Sequence, residues 1–151
     1  MKKLLLITLL LTGLHSAQFE DNTRLCDDGN MVGCFNLGIM YMNGIRGATK
    51  DEAKAVEYFR KACDGGDIDG CFNVGKYFED GIDVKQDLSK AMEFYNKACD
   101  GGEAFSCMTL GNLYRDGKGM IKRDRLKATE YFKKVCDSGY NEGCIQYEMI
   151  R

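Results

Sequence analysis

Cysteine is the residue of this 151-residue chain with the most evident chemistry, and there are eight copies. They stand at Cys26, Cys34, Cys63, Cys71, Cys99, Cys107, Cys136 and Cys144, four pairs that each span eight positions. Thiols in such numbers either hold a metal as thiolates or close disulfides. Zinc sites built from cysteine alone use Cys-x-x-Cys spacing, which is absent, so disulfides are expected, with no metal and no cofactor. The only histidine is His15, which excludes most triads, histidine general bases and histidine zinc sites. The run Asp64-Gly65-Gly66-Asp67-Ile68-Asp69-Gly70 starts like a calcium loop but breaks off at Cys71, and turn chemistry is the better account.

The N-terminus explains why the thiols should be oxidised. Met1, Lys2 and Lys3 precede an apolar run from Leu4 to Leu14 and then Ser16 and Ala17, the order of a secretory signal peptide too short to span a bilayer. Residues 1–17 are therefore read as a leader and 18–151 as the mature chain, secreted or periplasmic. Leu25 before Cys26 lacks the small neighbours of a lipoprotein signal, and no second long apolar run follows. No membrane anchor is expected. The formal charge of −2 becomes more negative once Lys2 and Lys3 are lost, which argues against nucleic acid as a partner.

The cysteine pairs start 37, 36 and 37 residues apart, a period that signals a stack of supersecondary units. Neighbouring residues recur in phase. Cys34-Phe35-Asn36-Leu37-Gly38, Cys71-Phe72-Asn73-Val74-Gly75 and Cys107-Met108-Thr109-Leu110-Gly111 follow the second cysteines. Before the first cysteines, Ala55, Phe59 and Ala62 and their equivalents repeat at i, i+4 and i+7, one face of a helix. Asp51, Asp87 and Asp124 stand as N-caps, and Gly44, Gly81 and Gly117 as helix ends. Each unit is then two helices, over 34–43 with 51–63, 71–80 with 87–99, and 107–116 with 124–136. The repeats run over 34–63, 71–99 and 107–136. A mid-helix glycine costs about 1 kcal/mol relative to alanine, so Gly38, Gly75 and Gly111 point to close approach by the neighbouring helix. Residues 18–26 read as the worn end of a preceding second helix, with Phe19 and Leu25 in register, and 143–151 as a partial terminal helix that caps the stack.

Within one hairpin Cys34 and Cys63 lie at the same end, so their pairing is open on geometry, but it strands Cys26 and Cys144. Pairing 26–34, 63–71, 99–107 and 136–144 leaves no thiol over and clips each hairpin to the next. Closing such a short loop contributes about 2.5 kcal/mol in the chain-entropy model. The reduced protein is expected to be marginal or unfolded.

With three in-phase copies of Leu/Val-Gly, Ala-x-x-x-aromatic and Cys-x7-Cys, the chain resembles Sel1-like repeat proteins, relatives of the tetratricopeptide repeat, and looks most like the Helicobacter cysteine-rich protein family. The resemblance implies an all-α fold, a right-handed α/α solenoid of helix hairpins with locally paired disulfides. It also implies a groove lined by the first helices, in which an asparagine before Leu-Gly bonds a peptide backbone. Those positions are Asn36, Asn73 and Thr109, with Gln146 in the terminal helix. Lys76, Asn112, Arg115, Glu79 and Asp116 lie on the same face, and Lys76 and Arg115 could hold a carboxylate.

The same family is associated with penicillin binding, and its members often carry the name β-lactamase. That implication meets a poor inventory. Ser89, Ser106 and Ser138 are followed three positions on by Met92, Thr109 and Asn141, so Ser-x-x-Lys is missing, as are Ser-Asp-Asn and Lys-Thr-Gly. The first expectation is a secreted repeat protein that binds a peptide, a protein or a peptidoglycan fragment. The alternative is a slow β-lactam-binding hydrolase. Half-repeats at both ends leave self-association open.

Overall fold

Alternating helix starts and stops make hairpins of this chain. The computed structural model describes residues 17–151, so the leader reading falls on residues 1–16, outside the described part, and on Ala17. A helix over 17–27 (α1) is followed by α2 (Met31–Asn43), α3 (Glu52–Asp64), α4 (Ile68–Asp80), α5 (Leu88–Asp100), α6 (Ala104–Asp116), α7 (Arg125–Asp137) and α8 (Asn141–Ile150). The described residues contain no strand, and one isolated bridge joins Lys118 to Ile121 across a turn. The pairs α2/α3, α4/α5 and α6/α7 form antiparallel hairpins. Each stacks on the next through α3 on α4, α5 on α6 and α7 on α8. This is the α/α solenoid expected from the repeat.

Caps set the boundaries. Asp51, Asp87 and Asp124 accept from the backbone N–H groups of Lys54, Lys90 and Lys127, each at 3.0 Å. The first helices start three residues earlier than their cysteines suggest. Asn30, Asp67 and Glu103 cap α2, α4 and α6, and a capped turn extends a helix through residues that composition alone assigns to a loop. Asp67 is thus a cap; within the Asp64–Gly70 run only Gly65 and Gly66 form a turn, and Ile68–Gly70 belong to α4. Gly44 and Gly81 end α2 and α4 with φ of 63° and 70°, a left-handed conformation that favours glycine.

The mid-helix glycines admit the rings of the second helices. A Cβ on Gly38, Gly75 or Gly111 would meet the ring of Phe59, Tyr95 or Phe132 at 2.6–2.7 Å. These rings are 0% exposed, as are Ala55, Ala91 and Ala128 beside them, and burying a large side chain contributes about 1.5–3 kcal/mol. In α1 the ring position is Asn22, 7% exposed, while Leu25 is 40% exposed although its Cβ lies against Gly33 of α2. In α8 the glycine position is Glu148.

The four disulfides join Cys26–Cys34, Cys63–Cys71, Cys99–Cys107 and Cys136–Cys144, with Cα atoms 4.6, 4.6, 4.8 and 4.4 Å apart. Each ties the end of a second helix to the start of the next first helix, and the 34–63 alternative does not form. The first three pairs are buried and the last is half-buried. On the outer edge of each hairpin, Tyr41 stacks on Tyr58, Phe78 on Phe94 and Tyr114 on Tyr131. Lys54, Lys90 and Lys127 lie over the first ring of each pair.

Candidate binding groove

The first helices α2, α4 and α6 stand side by side, and the spaces between them form two clefts that share Lys76. The cleft between α2 and α4 has a volume of about 340 Å³ and is walled by Met42, Phe72, Tyr77 and Ile82, with Glu52, Asn73 and Asp80 completing it. The cleft between α4 and α6, about 370 Å³, is lined by Glu79, Thr109, Asn112, Leu113, Asp116 and Lys118. Helical spacing places side chains of the three helices in two rows: Asn36, Asn73 and Thr109 in one, the apolar Ile39 with Lys76 and Asn112 in the other.

The expected groove residues divide by what already holds them. Asn36 donates to Asn22 Oδ1 at 2.9 Å and lines neither cleft. Asn73 lines the first cleft but donates to the Asp69 carbonyl of its own helix at 2.8 Å. Arg115 grips Asp116 with two hydrogen bonds of 2.8 Å and donates to Gln146 Oε1 at 2.7 Å, which also occupies Gln146. Thr109 and Asn112 are different. Both line the second cleft, half-buried, and among the described residues no hydrogen bond engages either side chain. Lys76 lies between the clefts, 3.3 Å from Asp80 and 4.0 Å from Glu79.

Two buried-phenol contacts, which spacing alone does not reveal, fix the carboxylates. Glu79 accepts from Tyr95 Oη at 2.7 Å and from Lys118 Nζ at 3.0 Å. Burial raises its carboxyl, but the Tyr95 hydroxyl and the Lys118 ammonium outweigh that effect and hold it below the usual glutamate range. The Tyr95 phenol is pushed up, first by burial and then by Glu79. Glu52 accepts from Tyr77 Oη at 2.5 Å and pairs with Lys50 at 2.9 Å, and the phenol and then the lysine depress its carboxyl. Lys118 reaches Glu79 from the loop after α6, a link between repeats that no motif announces. The aromatic residues of the first cleft carried a signal, since Phe72 and Tyr77 sit in the repeat, but their phase there reads equally as core.

No serine among the described residues lines either cleft. Ser106 is 0% exposed, with its hydroxyl unpartnered among the described residues, and Ser138 donates to the Lys134 carbonyl of its own helix. Among the described residues no cluster of metal-ligating side chains occurs, and no helix is long and apolar enough to cross a membrane.

No curated protein matches the chain. Among solved structures, a Sel1 repeat protein from Oxalobacter formigenes is 30% identical with a TM-score of 0.75, over 83% of this chain and 50% of that one. Helicobacter pylori cysteine rich protein B is 28% identical with a TM-score of 0.64, over 86% of this chain and 92% of that one. A protective antigen of uropathogenic Escherichia coli with an SLR fold shares the fold at 22% identity and a TM-score of 0.78, over 91% of this chain and 29% of that one. The chain thus spans half the length of the Oxalobacter protein. The Sel1 repeat family model matches residues 32–67, 68–103 and 104–140. With three consecutive repeats that take in both clefts and the hairpins around them, this chain belongs to the Sel1 repeat family.

Proposed function

We propose that this protein binds an extended polypeptide segment along the groove of α2, α4 and α6, outside the cytosol. The observation that carries the reading is the pair Thr109 and Asn112. A carboxamide and a hydroxyl that line a cleft with no hydrogen-bond partner among the described residues offer a donor and acceptors to a peptide amide. A peptidoglycan fragment, which also carries amides, is the related ligand that the same side chains could hold. Export rests on the residue 1–17 leader, and four disulfides suit an oxidising compartment. The repeat architecture fits an interaction scaffold.

The β-lactam hydrolase alternative rests on the resemblance to cysteine-rich relatives. Its best candidate base is Glu79, the more enclosed carboxylate of the second cleft, and the contacts that lower its carboxyl make it a weak base near neutral pH.

The test is selection of displayed random peptides, with muropeptides in parallel, on the oxidised protein, followed by titration against a Thr109→Ala/Asn112→Ala variant. Loss of a cleft hydrogen-bond pair should weaken binding by about tenfold, at an unchanged melting temperature. Undiminished affinity overturns the groove reading. Chromogenic cephalosporin turnover that follows the folded protein would favour the hydrolase.

A further inference from the structure

The two clefts differ in a way that bears on which side chains they accept. In the second, Lys76 and Lys118 face Glu79 and Asp116, and each carboxylate has a cation in contact: Glu79 holds Lys118 and Asp116 holds Arg115. The first cleft is apolar in its walls and acidic at its mouth. Met42, Phe72, Tyr77 and Ile82 form the walls, while Glu52 and Asp80 supply two carboxylates, the first in contact with Lys50 from outside the cleft and the second with Lys76.

We propose that the cleft between α2 and α4 is a subsite for a basic side chain, lysine or arginine, of the bound polypeptide. This rests on the peptide reading of the groove. The chemistry matches in two parts: an aliphatic stem lies against the apolar walls, and its cationic head reaches the carboxylates. Glu52 is set in place by the Tyr77 hydroxyl. Its partner ammonium, Lys50, comes from the solvent side with 64% of its side chain exposed. Glu52 itself is only 20% exposed, so an incoming cation competes with Lys50 for this carboxylate from the solvent side. Asp80 meets Lys76 through Oδ2 only, and a carboxylate has acceptor capacity for a second donor. An apolar side chain gains only the wall contact, and an acidic one is repelled by the carboxylates.

The test uses fluorescein-labelled nonapeptides of glycine, alanine and serine with a central lysine, arginine, norleucine or glutamate. Anisotropy titrations at low salt compare the oxidised protein with Glu52→Gln/Asp80→Asn and with Asn112→Ala. The lysine and arginine peptides should bind about tenfold more tightly than the norleucine peptide, the size of a charge-assisted hydrogen bond, with glutamate weakest. Glu52→Gln/Asp80→Asn should bring lysine down to norleucine and leave norleucine unchanged, while Asn112→Ala weakens all four alike. Asp80→Asn alone, at an exposed position, should lose part of the preference without a change in melting temperature. Equal binding of lysine and norleucine by the unmodified protein, with Asn112→Ala still weakening both, overturns the subsite and leaves the groove intact. Absence of any peptide binding, or binding indifferent to Asn112→Ala, overturns both.

Discussion

The ring of Phe59 packs against the bare backbone of Gly38, close enough that a Cβ there would lie 2.6 Å from its edge. Gly75 with Tyr95 and Gly111 with Phe132 repeat the contact, so one side-chain-free position per hairpin sets the distance between its helices. Rings that are fully buried have nowhere to retreat.

Gly38→Ala and Gly111→Ala should therefore destabilise the fold, although alanine is the better helix former. Overpacking costs about 1–3 kcal/mol and the propensity gain returns about 1 kcal/mol. Urea titration should show a net loss of up to about 2 kcal/mol at either site. A gain in stability at both would mean that the rings shift freely.

The hairpins, the aspartate caps and the disulfide pairing were legible in the sequence because each repeats in phase. Three copies of a spacing constrain a fold more than any one copy does. The starts of the first helices were not, because Asn30, Asp67 and Glu103 sit in turns whose glycines obscure the caps. The site was legible only in part. Spacing puts Asn36, Asn73 and Thr109 in one row, yet it does not show that Asn22, fourteen residues away, engages Asn36. Nor does it show that Lys118 crosses from a loop to Glu79. Those are tertiary contacts with a single copy each.

The disulfides should open in a fixed order. Cys136 and Cys144 are half-buried, whereas the other six cysteines are at most 5% exposed, and thiol exchange needs access. Limited treatment with a small thiol followed by alkylation and peptide mass mapping should label Cys136 and Cys144 first. Replacing one buried pair, Cys63→Ser with Cys71→Ser, should remove about 2.5 kcal/mol of stability.

Acid should weaken the link between the second and third hairpins. The Glu79 carboxyl titrates lower in the folded chain than in an unfolded one, so its contribution is complete above the ordinary glutamate value near 4.5 and lost as the pH falls through the lowered one. Melting temperature should decline with acidification below that range, and Glu79→Gln should make the decline shallower. The raised phenol of Tyr95 works in the opposite sense. Its contribution is complete below about pH 10 and lost as the pH rises beyond it, a limb that Tyr95→Phe should remove.

The inter-helix loops carry strain in two of three repeats. Arg46 and Asp83 hold φ of 56° and 50°, and the equivalent residue in the third loop is Gly119 at 60°. Arg46→Gly should stabilise by about 0.5–1 kcal/mol, and Asp83→Gly by less, since aspartate tolerates this region better than arginine. Equilibrium unfolding of the two variants should reproduce that order.

Each disulfide closes the turn between one hairpin and the next, at a sequence separation of eight residues. The sulfur bridges are thus connected in series along the chain. Tension applied at its two ends passes through them and loads only the stretches between bridges, such as Cys34 to Cys63. Stretched mechanically, the oxidised protein yields one hairpin at a time, and its bridged turns never pay out their slack.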